Sequence, residues 1–238
     1  MNIAALLTGR GNNTLKDKNI LPVLGKPLLY YPAKAAADSS HITRYFASSD
    51  DPNILAEAEK VGYTSIARPP ELALPTSQHV EAIMHALKCM NEHHDLQPDI
   101  LVVLLANNGI VKTSWINGCI EQILDDPTIS AVVPVNVESD HHPVRAKKMN
   151  GDGFLEPFFD LGSTQVSTNR QDLEPCFFLG HNFWVLNVAR SVYAEDGQLP
   201  WSFMGNRIKP YPVEKVFDVH AREDLALTER WIKDNYEY

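Results

Sequence analysis

The sequence lacks the features that would place a protein in a membrane. No segment approaches the roughly 18 consecutive apolar residues that a membrane span needs. The first residues, MNIAALL, have neither the basic flank nor the long apolar run of a signal peptide. We therefore expect a cytoplasmic protein with no membrane partner.

Cysteine is also scarce. The three cysteines, Cys89, Cys119 and Cys176, are odd in number, widely spaced and without a C-x-x-C pair. This pattern excludes a disulfide framework and a cysteine zinc site. We expect three reduced thiols, mostly buried, because free cysteine is among the most buried residue types.

Positive charge is in deficit, with 21 Lys and Arg against 30 Asp and Glu and a formal net charge of −9. This balance argues against a broad polyanion-binding face, so nucleic acid is not an expected partner. Apolar residues, by contrast, are plentiful. They make up 44% of the 238 residues, which is enough to bury one main core.

Short apolar runs alternate with amphipathic stretches along the chain. The runs are strand-sized, and the stretches have apolar residues three and four positions apart, as in helices. The predicted strands are Ile3–Leu7, Tyr45–Ala47, Ile100–Leu105, Ala131–Val135, Phe183–Leu186 and Ile208–Tyr211. The predicted helices are Leu28–Ala37, Pro52–Val61, Gln78–His94, Thr113–Leu124 and Arg222–Lys233. This alternation predicts an α/β fold with a mainly parallel sheet, covered on both faces, and ligands at the carboxyl ends of the strands.

Residues 139–180 interrupt this pattern. They are rich in charge and in turn residues, and the stretch MNGDGF within them predicts a hairpin turn. We interpret 139–180 as an arm inserted into a single domain that spans 1–238.

The loop after the first predicted strand, within LLTGRGNNTLKDKNILPVLGKPLL, is basic. Its glycines and cations are Gly9, Arg10, Gly11, Lys16 and Lys18. Backbone N–H groups in such a loop can bind phosphate, and the cations can offset the charge of a polyphosphate. The loop has neither the G-x-G-x-x-G nor the P-loop pattern, so a solvated surface turn stays an alternative. Lys16 is the weaker phosphate candidate, because a lysine in a flexible loop is usually just solvated.

Six segments carry further motifs, in order along the chain. They are KNILPVLGKPLLYYPAKAA, FASSDDPNILAEAEKVG, ARPPELALPTSQHVEAIMHAL, HHPVRAKKMNGDGFLEPFF, NRQDLEPCFFLGHNFWVL and FDVHAREDLALTERWI. Together they resemble the cytidylyltransferases that activate 2-keto sugar acids, the CMP-sialic acid (acylneuraminate) and CMP-Kdo synthetases. The resemblance implies a three-layer α/β/α, Rossmann-like and GT-A-like nucleotidyltransferase that is a homodimer through its arm. It also implies transfer of CMP from CTP to a sugar acid, with release of pyrophosphate, for surface glycan synthesis such as that of lipopolysaccharide.

The resemblance implies a set of nucleotide-binding residues. Arg10 corresponds to the family's loop arginine, and Lys18 with Asn19 corresponds to its Lys-Asn pair, so Arg10 and Lys18 are expected to bind the phosphates as catalytic residues. Gly9 and Gly11 are expected to allow close approach of the backbone.

A second nucleotide-binding region is expected after the next strands. Arg68, Thr76 and Ser77 lie where the family binds the base. Thr76 or Ser77 is also a natural helix N-cap, and the two roles are compatible.

The resemblance implies a metal site as well. Asp218 corresponds to the first carboxylate of the family's Asp-x-Asp, which holds Mg²⁺, and it completes the expected catalytic set. The second position is His220, and imidazole suits softer divalent metals better than Mg²⁺. Three consequences stay open: Mg²⁺ bound through water, use of Mn²⁺, or a role for His220 as a base or substrate contact.

The expected substrate-binding residues lie in three places. Arg170 and Gln171 match the family's Arg-Gln, with Arg170 suited to grip a carboxylate, and His181 lies where the family has Asn-Gly. Asn107 and Asn108 occupy the active-site turn, where they contact a ligand hydroxyl or only stabilise the turn.

Departures from the family pattern keep other functions open. The phosphate loop is one residue shorter and contains Asn12 and Asn13, the turn LANNG has no carboxylate, and His220 replaces the second carboxylate of the metal pair. The alternatives are a different acid acceptor, Kdo-like or a phosphonate, and a catalytically impaired CTP-binding homologue.

Overall fold

The computed structural model describes residues 1–11, 14–138, 140–162, 165–214 and 216–236. Asn12, Asn13 and Ser139, which belong to the predicted loop and arm, lie outside the described residues. The strands are β1 (Ile3–Thr8), β2 (Pro22–Val23), β3 (Lys26–Pro27), β4 (Arg44–Ser49), β5 (Thr64–Ala67), β6 (Ile100–Leu105), β7 (Ala131–Glu138), β8 (Lys147–Met149), β9 (Leu155–Pro157), β10 (Cys176–Leu179), β11 (Phe183–Asn187) and β12 (Ile208–Pro212). The helices are α1 (Tyr30–Ala37), α2 (Pro52–Glu59), α3 (His79–His94), α4 (Thr113–Asp125) and α5 (Arg222–Asn235). None of the helices in these ranges is long and apolar enough to cross a membrane.

Eight strands form one sheet in the order β5-β4-β1-β6-β11-β7, with β10 and β12 also paired to β7. Strands β1, β4, β5, β6, β7 and β12 run in one direction, and β10 and β11 run against them. The prediction of a mainly parallel α/β sheet is therefore confirmed. Because β11 is antiparallel, its amino end meets the carboxyl ends of β1, β4 and β6 at one edge of the sheet.

The two faces of the sheet are covered by different helices. In β1, Ile3, Ala5 and Leu7 face a core completed by α1, α2 and α4, and Ala4 and Leu6 face a core completed by α3. Successive side chains of a strand point to opposite faces, so a strand buried on both sides is apolar throughout. The chain therefore forms three layers, as expected.

A third cluster fixes the last helix. Ile232 of α5 packs with Val23, Leu28 and Val219. This packing places the segment before α5, which contains Asp218, over the carboxyl edge of the sheet.

The predicted elements correspond closely to those observed. Strands β2, β3, β5 and β10 were not among the predicted strands. Helix α3 is capped by Gln78, whose N–H donates to the Glu81 carboxylate at 2.7 Å, so the expected N-cap at Thr76 or Ser77 is wrong. All three cysteines are free as predicted, but only Cys119 is buried, whereas Cys89 and Cys176 are partly exposed.

The predicted hairpin turn is confirmed. Met149 pairs with Leu155 across β8 and β9, and the Asn150 side chain accepts the N–H of Phe154 at 2.8 Å. This hairpin lies in the segment 140–162, part of the predicted arm.

Candidate active site

A cleft of about 350 Å³ opens at the carboxyl edge of the sheet. Arg10 from the loop after β1, Lys18 from the same loop and Arg68 from the loop after β5 line it. None of the described residues that line the cleft is a carboxylate. A protein of net charge −9 thus has a locally cationic cleft, which favours an anionic ligand.

The two loop glycines are required by close packing. A Cβ on Gly9 would lie 3.0 Å from the Cβ of Ala106, and one on Gly11 would lie 2.8 Å from the Cβ of Asp51. The N–H of Gly9 donates to the Ser48 carbonyl at 3.2 Å, and that of Gly11 donates to a carboxylate oxygen of Asp50 at 3.0 Å. Both N–H groups are thus used within the chain, so these glycines hold the loop in place instead of offering donors to a phosphate.

Asn19 and Arg10 are coupled through the backbone. The buried Asn19 side chain donates to the Arg10 carbonyl at 3.0 Å, and Arg10 Nη1 donates to the Leu74 carbonyl at 3.0 Å. Asn19 therefore positions the backbone of the loop, and it also lines the cleft. Within the expected Lys-Asn pair, Lys18 therefore supplies positive charge and Asn19 holds the backbone of the loop.

Lys18 lies within the field of Asp218. Burial lowers the pKa of the Lys18 ammonium, the Asp218 carboxylate raises it, and Arg10 lowers it. The carboxylate therefore favours the charged form of Lys18 and opposes part of the cost of burial.

Asn108 holds Asp218 in position. The Asn108 side chain is fully buried and donates both to Asp218 Oδ1 at 3.0 Å and to the His181 carbonyl at 3.1 Å, while its oxygen accepts the N–H of Ile110 at 3.0 Å. Both amide hydrogens and the amide oxygen are used, so Asn108 is a positioning residue. Direct ligand contact, one of the two roles open for Asn108, does not agree with this arrangement.

The neighbouring Asn107 behaves differently. Asn107 lines the cleft, and its carbonyl accepts the N–H of Val219 at 3.1 Å. Asn107 thus remains placed to contact a ligand, and its backbone joins the turn to the segment that contains Asp218.

The donor set around Asp218 is sparse for a metal. His220 Nε2 lies 3.9 Å from Asp218 Oδ2, and the His220 side chain is 73% exposed against 18% for Asp218. The described residues contain no group of three or more His, Cys, Asp or Glu side chains that could hold a metal ion. One carboxylate fits Mg²⁺ where phosphate oxygens and water supply the other ligands, as is usual for this ion in nucleotide sites.

Arg68 is buried and fixed. Its Nε donates to the Ser48 hydroxyl at 3.2 Å, and its Nη2 donates to the Ser48 carbonyl at 2.8 Å. Burial lowers the pKa of Arg68, Asp50 raises it and Arg10 lowers it. Guanidinium keeps its charge in proteins, so the group stays a pure donor in the cleft.

Ser77 and Thr76 have different surroundings. Ser77 lines the cleft, but its hydroxyl accepts the N–H of Leu74 at 3.1 Å and donates to the Glu71 carbonyl at 2.9 Å. Thr76 is exposed and is not among the lining residues. Neither hydroxyl therefore has the placement that its expected role in base binding would favour.

The remaining expected substrate residues do not join the cleft. Arg170 Nη1 lies 3.2 Å from Asp140 Oδ1 on the exposed arm, and the neighbouring Gln171 is exposed. His181 is partly buried beside Trp201, with ring centroids 5.5 Å apart. The structure thus separates Arg170 and Gln171 from the cations that line the cleft.

His79 is a polar cleft residue that was missed from the sequence. His79, the first residue of α3, lines the cleft, and its Nε2 lies 3.0 Å from the Thr8 hydroxyl. The signal available was a polar residue at the start of the helix that follows Arg68. Its contact with Thr8, 71 positions away, is a tertiary feature.

Comparisons with known proteins concern the sequence and the fold. The sequence model of the family described as cytidylyltransferase matches residues 8–150, more than half of the chain. An N-acylneuraminate cytidylyltransferase of Streptococcus agalactiae serotype V is 23% identical over 219 residues, 90% of this chain and 49% of that protein. One of Escherichia coli O18:K1:H7 is 34% identical over 100 residues, 40% of this chain and 24% of that protein. The chain spans about half the length of the curated relatives it matches, or less.

Solved structures share the fold. The CMP:2-keto-3-deoxy-manno-octonic acid synthetase complexed with CTP superposes with a TM-score of 0.70 at 13% identity, covering 99% of this chain and 100% of that one. A 4-diphosphocytidyl-2C-methyl-D-erythritol synthase from Anaerococcus prevotii gives 0.64 at 11% identity, covering 98% and 96%. From the extent of the family match, together with this fold, the chain belongs to the cytidylyltransferase family.

Proposed function

We propose that this chain transfers CMP from CTP to a 2-keto sugar acid of the sialic or nonulosonic type and releases pyrophosphate. The observation that carries the proposal is the convergence of Arg10, Lys18 and Arg68 on a cleft with no carboxylate among its described lining residues. A nucleoside triphosphate is the anion that this charge distribution fits, and membership of the family supports CTP as the nucleotide.

The chemistry requires positioning and charge compensation. The anomeric hydroxyl of the acceptor attacks the α-phosphorus, the bond to the bridging oxygen breaks, and negative charge grows on the departing pyrophosphate. Arg10 and Lys18 would stabilise that charge, because fixed cations in a partly dry site act without reorganisation. Asn19 contributes by holding the backbone of Arg10.

Asp218 would hold Mg²⁺, with Mn²⁺ as an alternative, against the triphosphate. When bound, the metal supplies further neutralisation of phosphate charge. Asn108 orients the Asp218 carboxylate for this task, leaving Oδ2 on the side of His220.

The acceptor is proposed from the relatives. Two of them are named N-acylneuraminate cytidylyltransferases, which supports a sialic-type acid as the acceptor. Use of the product for surface glycan such as lipopolysaccharide is proposed from the resemblance of the sequence motifs alone. The turn around Asn107 supplies an amide and no carboxylate, so a Kdo-type acid or a phosphonate is the alternative acceptor.

The test is a panel of nucleotides and acceptors with pyrophosphate release as readout. CTP, UTP, ATP and GTP would each be combined with N-acetylneuraminic acid, Kdo and a phosphonate, at several Mg²⁺ and Mn²⁺ concentrations. We expect release with CTP and a sugar acid. Tight CTP binding without release under every condition would instead identify a catalytically impaired CTP-binding homologue.

We further propose that 139–180 is a dimerisation arm and that the chain forms a homodimer. Large apolar side chains are exposed there, including Met149 at 72%, Phe154 at 70% and Leu155 at 76%. Contiguous exposed apolar surface marks an interface, and a second copy of the chain offers the same surface. Leu155→Lys should convert a dimer to a monomer in analytical ultracentrifugation, and a wild-type protein that sediments as a monomer would contradict the proposal.

A further inference from the structure

The orientation of His79 is set by a chain of hydrogen bonds that begins inside the sheet. The Thr8 hydroxyl donates its hydrogen to the Leu104 carbonyl at 3.1 Å. At its 3.0 Å contact with His79 Nε2 the same hydroxyl must therefore accept. The hydrogen of the neutral imidazole consequently lies on Nε2, and Nδ1 carries a lone pair.

The surroundings of His79 favour the neutral form of its ring. Its ring packs edge-on against Trp184, with centroids 5.0 Å apart. Burial, together with Arg68 and His181, lowers the pKa of His79 to about 4, so the ring is neutral near pH 7. Nδ1 makes no hydrogen bond to any residue in the described part of the chain, and His79 lines the cleft.

Among the side chains that line the cleft, that of His79 is unusual because its Nδ1, in this tautomer, can only accept a hydrogen bond. Arg10, Lys18 and Arg68 only donate. Asn107 and Gln78 each carry a donor and an acceptor on one amide, and rotation lets such an amide match either kind of partner.

We propose that His79 selects cytosine over uracil by accepting, at Nδ1, a hydrogen bond from the exocyclic amine at position 4 of the base. The inference rests on the proposed use of CTP. Cytosine carries an amine at that position, and uracil carries a carbonyl oxygen. With UTP two acceptors would face each other in a partly buried site, which costs more than the loss of one hydrogen bond.

The lone pair on His79 Nδ1 also excludes a contact with nitrogen 3 of cytosine. Nitrogen 3 of cytosine is an acceptor, so it would repel Nδ1, whereas nitrogen 3 of uracil is a donor. A contact at position 3 would therefore favour UTP. Preference for CTP and dependence on Nδ1 together identify the position 4 amine.

Two substitutions separate the nitrogens of the ring. His79→Asn can place an amide oxygen near the position of Nδ1. His79→Gln can place an amide nitrogen near the position of Nε2, which keeps the contact with Thr8 and removes the acceptor at Nδ1. The readouts are the ratio of kcat/KM for CTP to that for UTP with one acceptor, and the Kd values of CMP and UMP by calorimetry.

We expect His79→Gln to lower the CTP/UTP ratio by about 10-fold or more and His79→Asn to keep it within about 3-fold of wild type. The triphosphate of pyrimidin-2-one riboside lacks the amine. With wild type its kcat/KM should be lower than that of CTP by a similar factor, whereas with His79→Gln the kcat/KM values of the two nucleotides should differ little. An unchanged ratio in a folded His79→Gln protein would overturn the inference.

Thr8→Val provides an independent test, because it removes the acceptor that places the hydrogen on Nε2. With the other tautomer allowed, Nδ1 can donate to the uracil carbonyl, so the CTP/UTP ratio should fall mainly through improved use of UTP. A ratio equal to that of wild type would contradict the hydrogen-bond chain. If wild type releases no pyrophosphate from CTP with any acceptor, the proposed function fails, whereas an active wild type with an unchanged His79→Gln ratio refutes only the role of His79.

Discussion

Asn108 offers the sharpest test of how the site is built, because Asn108→Ala removes three hydrogen bonds at a fully buried position. The substitution leaves the N–H of Ile110, the carbonyl of His181 and one oxygen of Asp218 without their side-chain partner. It therefore perturbs both the stability of the turn and the orientation of the carboxylate.

The magnitude follows from the kind of group left behind. The bond to the Asp218 carboxylate contributes about 1.5–3 kcal/mol, and an unsatisfied buried N–H costs about 1–3 kcal/mol. Together with the carbonyl, the expected loss in the free energy of unfolding is about 4 kcal/mol. A loss of this size is a large part of the roughly 5–15 kcal/mol that stabilises a typical domain.

Urea denaturation and thermal melting would measure this loss. A decrease of about 4 kcal/mol corresponds to a melting temperature lower by roughly 8–16 °C in a chain of this size. Asn107→Ala is the matched control: Asn107 is the chain neighbour and lines the cleft, so its truncation should change stability by less than about 0.5 kcal/mol. A loss below about 1 kcal/mol for Asn108→Ala, or equal losses for the two variants, would refute the positioning role of Asn108.

Three further predictions concern charge, packing and pH. Asp218→Asn should remove most turnover at every Mg²⁺ concentration with little loss of stability, and near-normal turnover would contradict its role. His220→Asp should lower the Mg²⁺ concentration needed for half-maximal activity, and an unchanged Mg²⁺ dependence would contradict the role of His220. Gly11→Ala should destabilise by about 1–3 kcal/mol, because the new Cβ would lie 2.8 Å from a neighbouring side chain, whereas Gly151→Ala, with nothing within 4 Å, should not; urea unfolding of both would decide. The pKa of His79 is about 4 in the folded chain against an ordinary 6.5, so the unfolded chain binds the extra proton and stability should fall as pH decreases through this window, by about 3 kcal/mol in total. His79→Gln should show a shallower fall, and an identical pH dependence of unfolding would contradict the assignment.

The central elements of the fold could be predicted because their apolar patterns are strong. Strand β6, six buried residues in a row, was predicted with its observed bounds. Strand β5 was missed because Ile66 is its only buried residue, so the pattern is weak at this edge of the sheet. Strand β10 was missed because its two central phenylalanines are exposed and its position depends on pairing with β7, which no local pattern reveals.

The candidate site was predictable in part. The resemblance pointed to Arg10, Lys18 and Arg68, and the structure brings these three to one cleft. Arg170 was expected to meet the same substrate, but the chain places it on the arm beside Asp140. Residue type alone could not separate these cases, because any arginine is suited to grip a carboxylate wherever it lies.

The different roles of Asn107 and Asn108 could not be predicted from the sequence. They are adjacent and identical in chemistry, and for each a ligand contact and a purely local role were open. The turn after β6 directs Asn107 to the cleft and Asn108 to Asp218, 110 positions away.

Sequence by itself determined the alternation of strands and helices, the two-sided burial of the sheet and the presence of a basic, glycine-containing loop, because periodicity and residue type are local properties. Only the tertiary structure decided which cations share the cleft, that the loop glycines serve packing, and that Thr8 fixes the hydrogen of His79. These outcomes depend on contacts between residues about 40 to 110 positions apart. Contacts of that kind form when the carboxyl ends of parallel strands meet at one edge of the sheet.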